Sequence, residues 1–271
     1  MNTCDRGRWN TLKIGIVGGG HLGQAIALSL VQHGLPKQNL LISYRGNPLT
    51  YQQLKKYGLA ACLVKNSDIF KEADIIFLTV KPQDMFTLNE DSLLSEVLLV
   101  SCAAGLSIQQ LERVFQAPVC RMMISGPDTV LTGQGVAAIY PEQKALECLL
   151  ENIEIRIVKT FSENEIDIFT VGVCLPAALL KETNRKETDL HIHKVGEEHP
   201  LMVELYEWAQ QILPAVRTDK EREEYIEKMV TKGGITDAIM SSLQAGESLE
   251  EALRKGIARV RELSIQFDRQ G

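Results

Sequence analysis

Leu12-Lys-Ile-Gly-Ile-Val-Gly-Gly-Gly-His-Leu-Gly-Gln-Ala-Ile26 is the stretch that decides the fold. Leu12 to Val17 is a short apolar run ending in glycines, as a buried parallel strand does. Gly18, Gly20 and Gly23 form a G-x-G-x-x-G directly behind it. Leu22, Ile26 and Leu30 then recur every four residues, the inward stripe of a helix that Gly34 and Pro36 stop. Strand, glycine turn and helix start together make a dinucleotide-binding turn. The glycines let the backbone approach a pyrophosphate, which sits on the N–H groups of the helix start.

Working outward, strand and helix signals alternate to about residue 160. Residues 40–44, 59–64, 74–80, 97–101, 119–123, 136–140 and 153–160 read as further strands, and 51–57 and 143–150 as helices. That alternation predicts an α/β domain of Rossmann type, a doubly wound, mostly parallel sheet with helices on both faces. From Ser162 onward no strand signal remains. Residues 201–213 and 225–230 read as helices. Ser248 and Glu251 form a capping box ahead of an apolar stripe through Leu249, Leu253, Ile257, Val260 and Leu263. The expected organisation is a polar tail over 1–11, a cofactor-binding domain over 12–161 and an all-helical domain over 162–271.

The 271 residues suit two domains, and 45% hydrophobic with 24% charged residues is the balance of a cored protein. No run of eighteen apolar residues exists, so no membrane helix is expected. The net charge of −6 argues against a nucleic-acid partner, which usually meets a basic face. Cys4, Cys62, Cys102, Cys120, Cys148 and Cys174 include no C-x-x-C pair and no zinc spacing. The start of the chain lacks the apolar core of a signal peptide. Reduced thiols and a cytoplasmic location are expected.

The tip of the second strand bears on cofactor choice. A site for NAD usually places an acid there, on the ribose 2′-hydroxyl. Here the chain reads Ser43-Tyr-Arg-Gly-Asn47, without an acid. Ser43 and Arg45 suit a 2′-phosphate, so NADP(H) is favoured over NAD(H).

Several motifs in this chain resemble those of the pyrroline-5-carboxylate reductases. They are the glycine turn from Ile14 to Ile26, Ala73-Asp-Ile-Ile-Phe-Leu-Thr-Val-Lys-Pro-Gln83, Ser101-Cys-Ala-Ala-Gly105, Arg121-Met-Met-Ile-Ser-Gly-Pro127 and Val230-Thr-Lys-Gly-Gly-Ile-Thr236. The resemblance runs from Leu12 to the final helix. It implies a Rossmann domain joined to a helical domain that makes a homodimer or higher homo-oligomer. It also implies NADPH-dependent reduction of a small cyclic imine, 1-pyrroline-5-carboxylate, to proline.

The same resemblance assigns residues. Gly18, Gly20, His21, Leu22 and Gly23 would hold the pyrophosphate, and Asn66 the adenosine ribose. Val80, Lys81 and Pro82, with Ala103, Ala104 and Gly105, would line the nicotinamide side. Gly233, Gly234 and the Thr236 hydroxyl would hold the substrate, with Thr236 also the catalytic candidate.

Departures from the family pattern gather on the substrate side. Ile124-Ser-Gly126 stands for a proline-asparagine-threonine, with Ser125 a substrate candidate. Val173, Cys174 and Leu175 replace most of a serine-glycine run, and Lys232 replaces a proline. Cys174 is a weaker donor than a hydroxyl, whereas Lys232 adds a charge suited to an anionic substrate. The stretch from Lys181 to His199 is also more polar than the family's helix, with nine of nineteen residues charged. It reads as a solvated helix face or a loop. These changes point to a cofactor half kept intact and a substrate half altered toward another imine.

Two other functions compete. Lys181-Glu-Thr-Asn184 resembles the lysine and asparagine of the β-hydroxyacid dehydrogenases. A catalytically silent NADP-binding regulatory protein would also explain altered substrate loops. His191, His193 and His199 could suggest a metal, but two histidines two apart diverge on a helix, and no metal is expected.

Overall fold

The structure, a computed structural model, describes residues 11–88, 96–182 and 184–268. Residues 1–10 of the expected tail, with Cys4, lie outside them. The chain divides into two compact units, one running to Phe161 and the other from Ser162.

The first unit runs β1 (Ile14–Val17), α1 (His21–Gln32), β2 (Leu40–Ser43), α2 (Pro48–Lys56), α3 (Asn66–Glu72), β3 (Ile75–Leu78) and α4 (Pro82–Met85). It continues through β4 (Leu98–Ser101), α5 (Ile108–Phe115), β5 (Val119–Ile124), α6 (Pro127–Leu131), β6 (Val136–Tyr140), α7 (Lys144–Asn152) and β7 (Arg156–Val158). The seven strands form one sheet in the order β2-β1-β3-β4-β5-β6-β7. All neighbours are parallel except β5 and β6.

Every residue of β1, β3 and β5 is buried. Such continuous burial, instead of alternation, marks a sheet covered on both faces. Helix α3 packs on β1 because Gly15 carries no side chain: a Cβ there would stand 2.3 Å from Ile69 Cγ2. Chain order reverses at β1, which lies between β2 and β3. Val17 pairs with Ser43 on one side and with Leu78 on the other. The three strands therefore end level, at the switch point where open α/β sheets bind their ligands.

Two strand expectations need correction. Residues 59–64 form no strand: Ala60–Cys62 is a 3-10 turn, and Leu63 makes only an isolated bridge to Ile42. Leu59 and Cys62 are both buried, a three-residue spacing that suits a tight turn, and α3 begins four residues later. The strand expected over 153–160 shortens to Arg156–Val158. Ile153 caps α7, and Glu154 takes a left-handed φ of 60° that no strand residue adopts. The thiols also depart from an all-reduced set. Cys62, Cys102, Cys120 and Cys174 are free and buried, whereas Cys148 is disulfide-bonded.

The second unit is helical among its described residues: α8 (Glu163–Gly172), α9 (Leu175–Leu179), α10 (Arg185–Glu198), α11 (Leu201–Ile212), α12 (Asp219–Met229), α13 (Ile235–Gln244) and α14 (Leu249–Asp268). Small residues allow close crossings. Gly172 of α8 meets Leu205 of α11, and Gly256 of α14 meets Ile239 of α13. The charged stretch forms α10, which buries Thr188, Ile192 and Val195 and exposes most of its charges, while the partly buried Asp189 accepts the Tyr206 hydroxyl at 2.6 Å. Glu198 of α10 takes a two-pronged bond from Arg254 of α14, at 2.8 and 3.0 Å. The capping box starts α14 as read, with the Glu251 N–H donating to Ser248 Oγ at 3.3 Å and the Ser248 N–H to Glu251 at 3.0 Å.

Candidate functional site

Past Val17 the chain turns at Gly18, whose φ of +111° is left-handed and whose Cβ would stand 2.9 Å from the Val80 nitrogen. The turn is bound on three sides. The Gly19 N–H donates to Ser43 O at 2.7 Å, Gln24 Nε2 to Gly19 O at 2.8 Å and the Thr79 hydroxyl to Gly18 O at 2.7 Å. Gly23 lies behind the turn, where a Cβ would stand 2.2 Å from Gly18 O. Gly20 is the opposite case, since a Cβ there meets nothing within 4 Å. It is the N-cap of α1, a helix with no side-chain cap and no acid in its first turn. Such a helix start directs N–H groups and a positive dipole end at whatever approaches.

That turn forms the wall of a cleft of about 540 Å³, within the range of small-molecule and cofactor sites. Of the residues singled out in the sequence, Gly18, Gly20, Ser43, Arg45, Asn66, Val80 and Lys81 line it. The others stand elsewhere. His21 is exposed at the start of α1, and Leu22 packs on the core. Pro82 opens α4. Ala103, Ala104 and Gly105 follow β4 and do not line this cleft.

The cleft also holds residues that sequence reading missed, among them Tyr44, Asn47, Thr79 and Asp84. Asn47 caps α2 by accepting the Leu49 N–H at 2.9 Å, and Tyr44 stacks on Tyr51 with ring centres 6.2 Å apart. Asp84 is ion-paired with Arg45. The tip of β2 carries no acid, and this one comes from α4, beyond β3. No local signal marks it. An open glycine cradle, an uncapped helix start and a cleft at the switch point together fit a dinucleotide.

The second unit gathers most of the substrate candidates. The Thr236 hydroxyl donates to Cys174 Sγ at 3.2 Å. Cys174 is buried, and burial pushes its thiol up to about 11 despite the hydrogen bond from Thr236. Gly233 has a left-handed φ of +73°. Its carbonyl accepts two bonds from Arg259, at 2.7 and 3.0 Å, and its N–H donates to Asp237 Oδ2 at 2.8 Å. Gly234 is the N-cap of α13, and Lys232 is exposed beside it. Ser125, in the first unit, is buried with its hydroxyl 2.7 Å from Thr129 Oγ1 while accepting the Val136 N–H at 3.0 Å.

Asn184 caps α10, its side chain accepting the Glu187 N–H at 3.4 Å. His191 and His193 diverge on the same helix. Among the described residues, no group of three or more His, Cys, Asp or Glu is arranged to hold a metal ion. No helix among them is long and apolar enough to cross a membrane.

Comparison with known proteins agrees with the cleft. The family described as NADP oxidoreductase, coenzyme F420-dependent, matches residues 13–105. The chain is 29% identical over 172 residues to a pyrroline-5-carboxylate reductase of Corynebacterium melassecola, across 58% of this chain. That match spans 62% of the relative, less than two thirds of its length. The chain is 26% identical over 281 residues to pyrroline-5-carboxylate reductase 1 of Bacillus subtilis (strain 168), covering 95% of this chain and 91% of that one. Among solved structures, the Plasmodium falciparum pyrroline carboxylate reductase with NADP bound has the same fold. Its TM-score is 0.58 at 20% identity, over 94% of this chain and 99% of that one.

Proposed function

We infer from this chain's membership of the pyrroline-5-carboxylate reductase family that it is an oxidoreductase acting on a carbon–nitrogen double bond with a nicotinamide cofactor. The reaction proposed is NADPH-dependent reduction of a cyclic imine, either 1-pyrroline-5-carboxylate to proline or a related imine. One observation carries the cofactor half: the Gly18–Gly23 turn opens with α1 on a cleft at the β1 switch point.

Bound NADPH would supply the hydride, so the protein's share is binding, orientation and proton placement. The N–H groups at the start of α1 would hold the pyrophosphate, Ser43 and Arg45 the adenosine ribose with the Asn66 amide beside them, and Val80 and Lys81 would border the nicotinamide half. On the substrate side, Thr236 offers a hydroxyl whose orientation Cys174 fixes. Gly233 and Gly234 form a tight loop that Arg259 clamps, and Lys232 brings a positive charge. The working form in this reading is a homodimer or larger homo-oligomer.

A related imine is favoured over 1-pyrroline-5-carboxylate itself by the Gly233 N–H. That amide already donates to the Asp237 carboxylate, so an incoming substrate carboxylate has a competitor at this point.

An activity panel tests the proposal. NADPH oxidation is followed with cyclic imines that carry or lack a carboxylate, beside NADP⁺ reduction with 3-hydroxy acids. Imine-dependent oxidation that disappears in Gly23→Asp is expected. Turnover of 3-hydroxy acids alone would replace the imine reading. Dinucleotide binding without turnover of any imine would leave a silent binding protein.

A further inference from the structure

Arg45, two residues past the end of β2, is ion-paired with Asp84, which sits in α4 beyond the end of β3. Both line the cleft beside the glycine turn. The two partners are not equally held. The Asp84 side chain is 21% exposed and that of Arg45 66%. The Asp84 backbone is fixed at both groups, its N–H donating to Lys81 O at 2.9 Å and its carbonyl accepting the Thr87 hydroxyl at 2.7 Å. The carboxylate is therefore the anchored partner, and the guanidinium is the one that can swing.

Sites for NAD place an acid on the ribose 2′-hydroxyl, and sites for NADP place positive charge on the 2′-phosphate. This cleft contains both, bonded to each other. We propose that Asp84 sets the cofactor preference of this chain. Its carboxylate competes with the 2′-phosphate of NADP(H) for Arg45, and it accepts the 2′-hydroxyl of NAD(H). An ion pair this exposed is weakly held, so a dianionic phosphate can displace it, with a loss of affinity. The arrangement makes the site less selective for NADP(H) than Ser43 and Arg45 alone imply. The proposal rests on the dinucleotide reading above.

Calorimetric titration of the full chain with NADP⁺ and with NAD⁺ tests it, using wild type, Asp84→Asn, Arg45→Gln and the double variant. Asp84→Asn should tighten NADP⁺ by about fivefold, the scale of releasing Arg45 from an exposed ion pair. The same variant should weaken NAD⁺ about threefold through loss of one charged hydrogen-bond acceptor. The NADP⁺ gain should vanish in the Arg45→Gln background. Asp84→Ser serves as a second probe if the asparagine variant does not fold.

Equal effects on both nucleotides, no effect on either, or a gain that persists without Arg45 would overturn the role of Asp84 while leaving the dinucleotide site standing. Failure of the folded wild type to bind either nucleotide would overturn the dinucleotide reading, and this proposal with it.

Discussion

The Thr236 hydroxyl donates to the sulfur of Cys174, and the Cys174 thiol donates onward to the Thr170 carbonyl at 3.3 Å. Three helices meet in this chain of bonds, with Thr170 in α8, Cys174 just ahead of α9 and Thr236 in the first turn of α13. It directs the Thr236 proton inward and leaves the oxygen lone pairs for another donor.

Cys174 gives a pH dependence of definite sign. Burial raises its thiol from 9.0 to about 11, so the folded protein prefers it protonated. Its contribution is fully present below the unfolded value and is lost as pH rises through the folded one. Urea unfolding should therefore show stability falling between about pH 9 and pH 11. Cys174→Ser should flatten part of that fall. Equal slopes in wild type and variant would show that Cys174 stays solvated. Because the thiol is buried and neutral, alkylation mapping at pH 8 should leave Cys174 unmodified until the protein unfolds.

Gly20 and Gly23 should respond differently to alanine. At Gly20 a Cβ enters open space, and the φ of −75° suits any residue. Gly20→Ala should thus keep the melting temperature while weakening dinucleotide binding roughly tenfold, because the methyl group occupies the ligand's approach. At Gly23 the methyl group would press on Gly18 O. Gly23→Ala should lose about 1–3 kcal/mol of stability as well as binding. A Gly20→Ala protein that binds as tightly as wild type would move the pyrophosphate away from this turn.

Arg259 is a positioning residue for the Gly233 loop. Its two bonds to Gly233 O hold a left-handed residue at the start of α13. Arg259→Gln should raise the KM of the imine about tenfold with kcat changed far less, and Arg259→Lys should restore part of the loss. The stability cost should stay near 1 kcal/mol, because the guanidinium is partly exposed. A fall in kcat at unchanged KM would assign the loop to the chemical step instead.

Gly172 sets the distance between α8 and α11. A Cβ would stand 2.2 Å from Leu205 Cδ1 and 2.9 Å from Leu205 Cβ, so side-chain rotation alone cannot relieve the overlap. Gly172→Ala should destabilise the helical unit by about 1–3 kcal/mol. Adding Leu205→Ala should recover part of that cost, which a double-mutant cycle in urea measures as coupling. Strictly additive losses would mean that the cost of Gly172→Ala does not come from the overlap with Leu205.

The sequence by itself determined the class of the molecule. The apolar run to Val17, the glycines behind it and the four-residue stripe after it are local signals. Each arises from backbone sterics or helical period acting within a dozen residues. The change from strand alternation to helical stripes and the Ser248–Glu251 box were legible for the same reason. Residues 59–64 misled because a short apolar run suits a tight turn as well as a strand. Only the tertiary structure brought Asp84 to Arg45 and Thr236 to Cys174. Those pairs lie 39 and 62 positions apart in the chain and follow from strand order and helix packing, which no local pattern encodes. An isolated Arg45 reads as a phosphate ligand; beside an anchored carboxylate it is a contested one. Charge alone cannot show that, because the Coulombic field at a site depends on which distant residues the fold sets within a few ångströms.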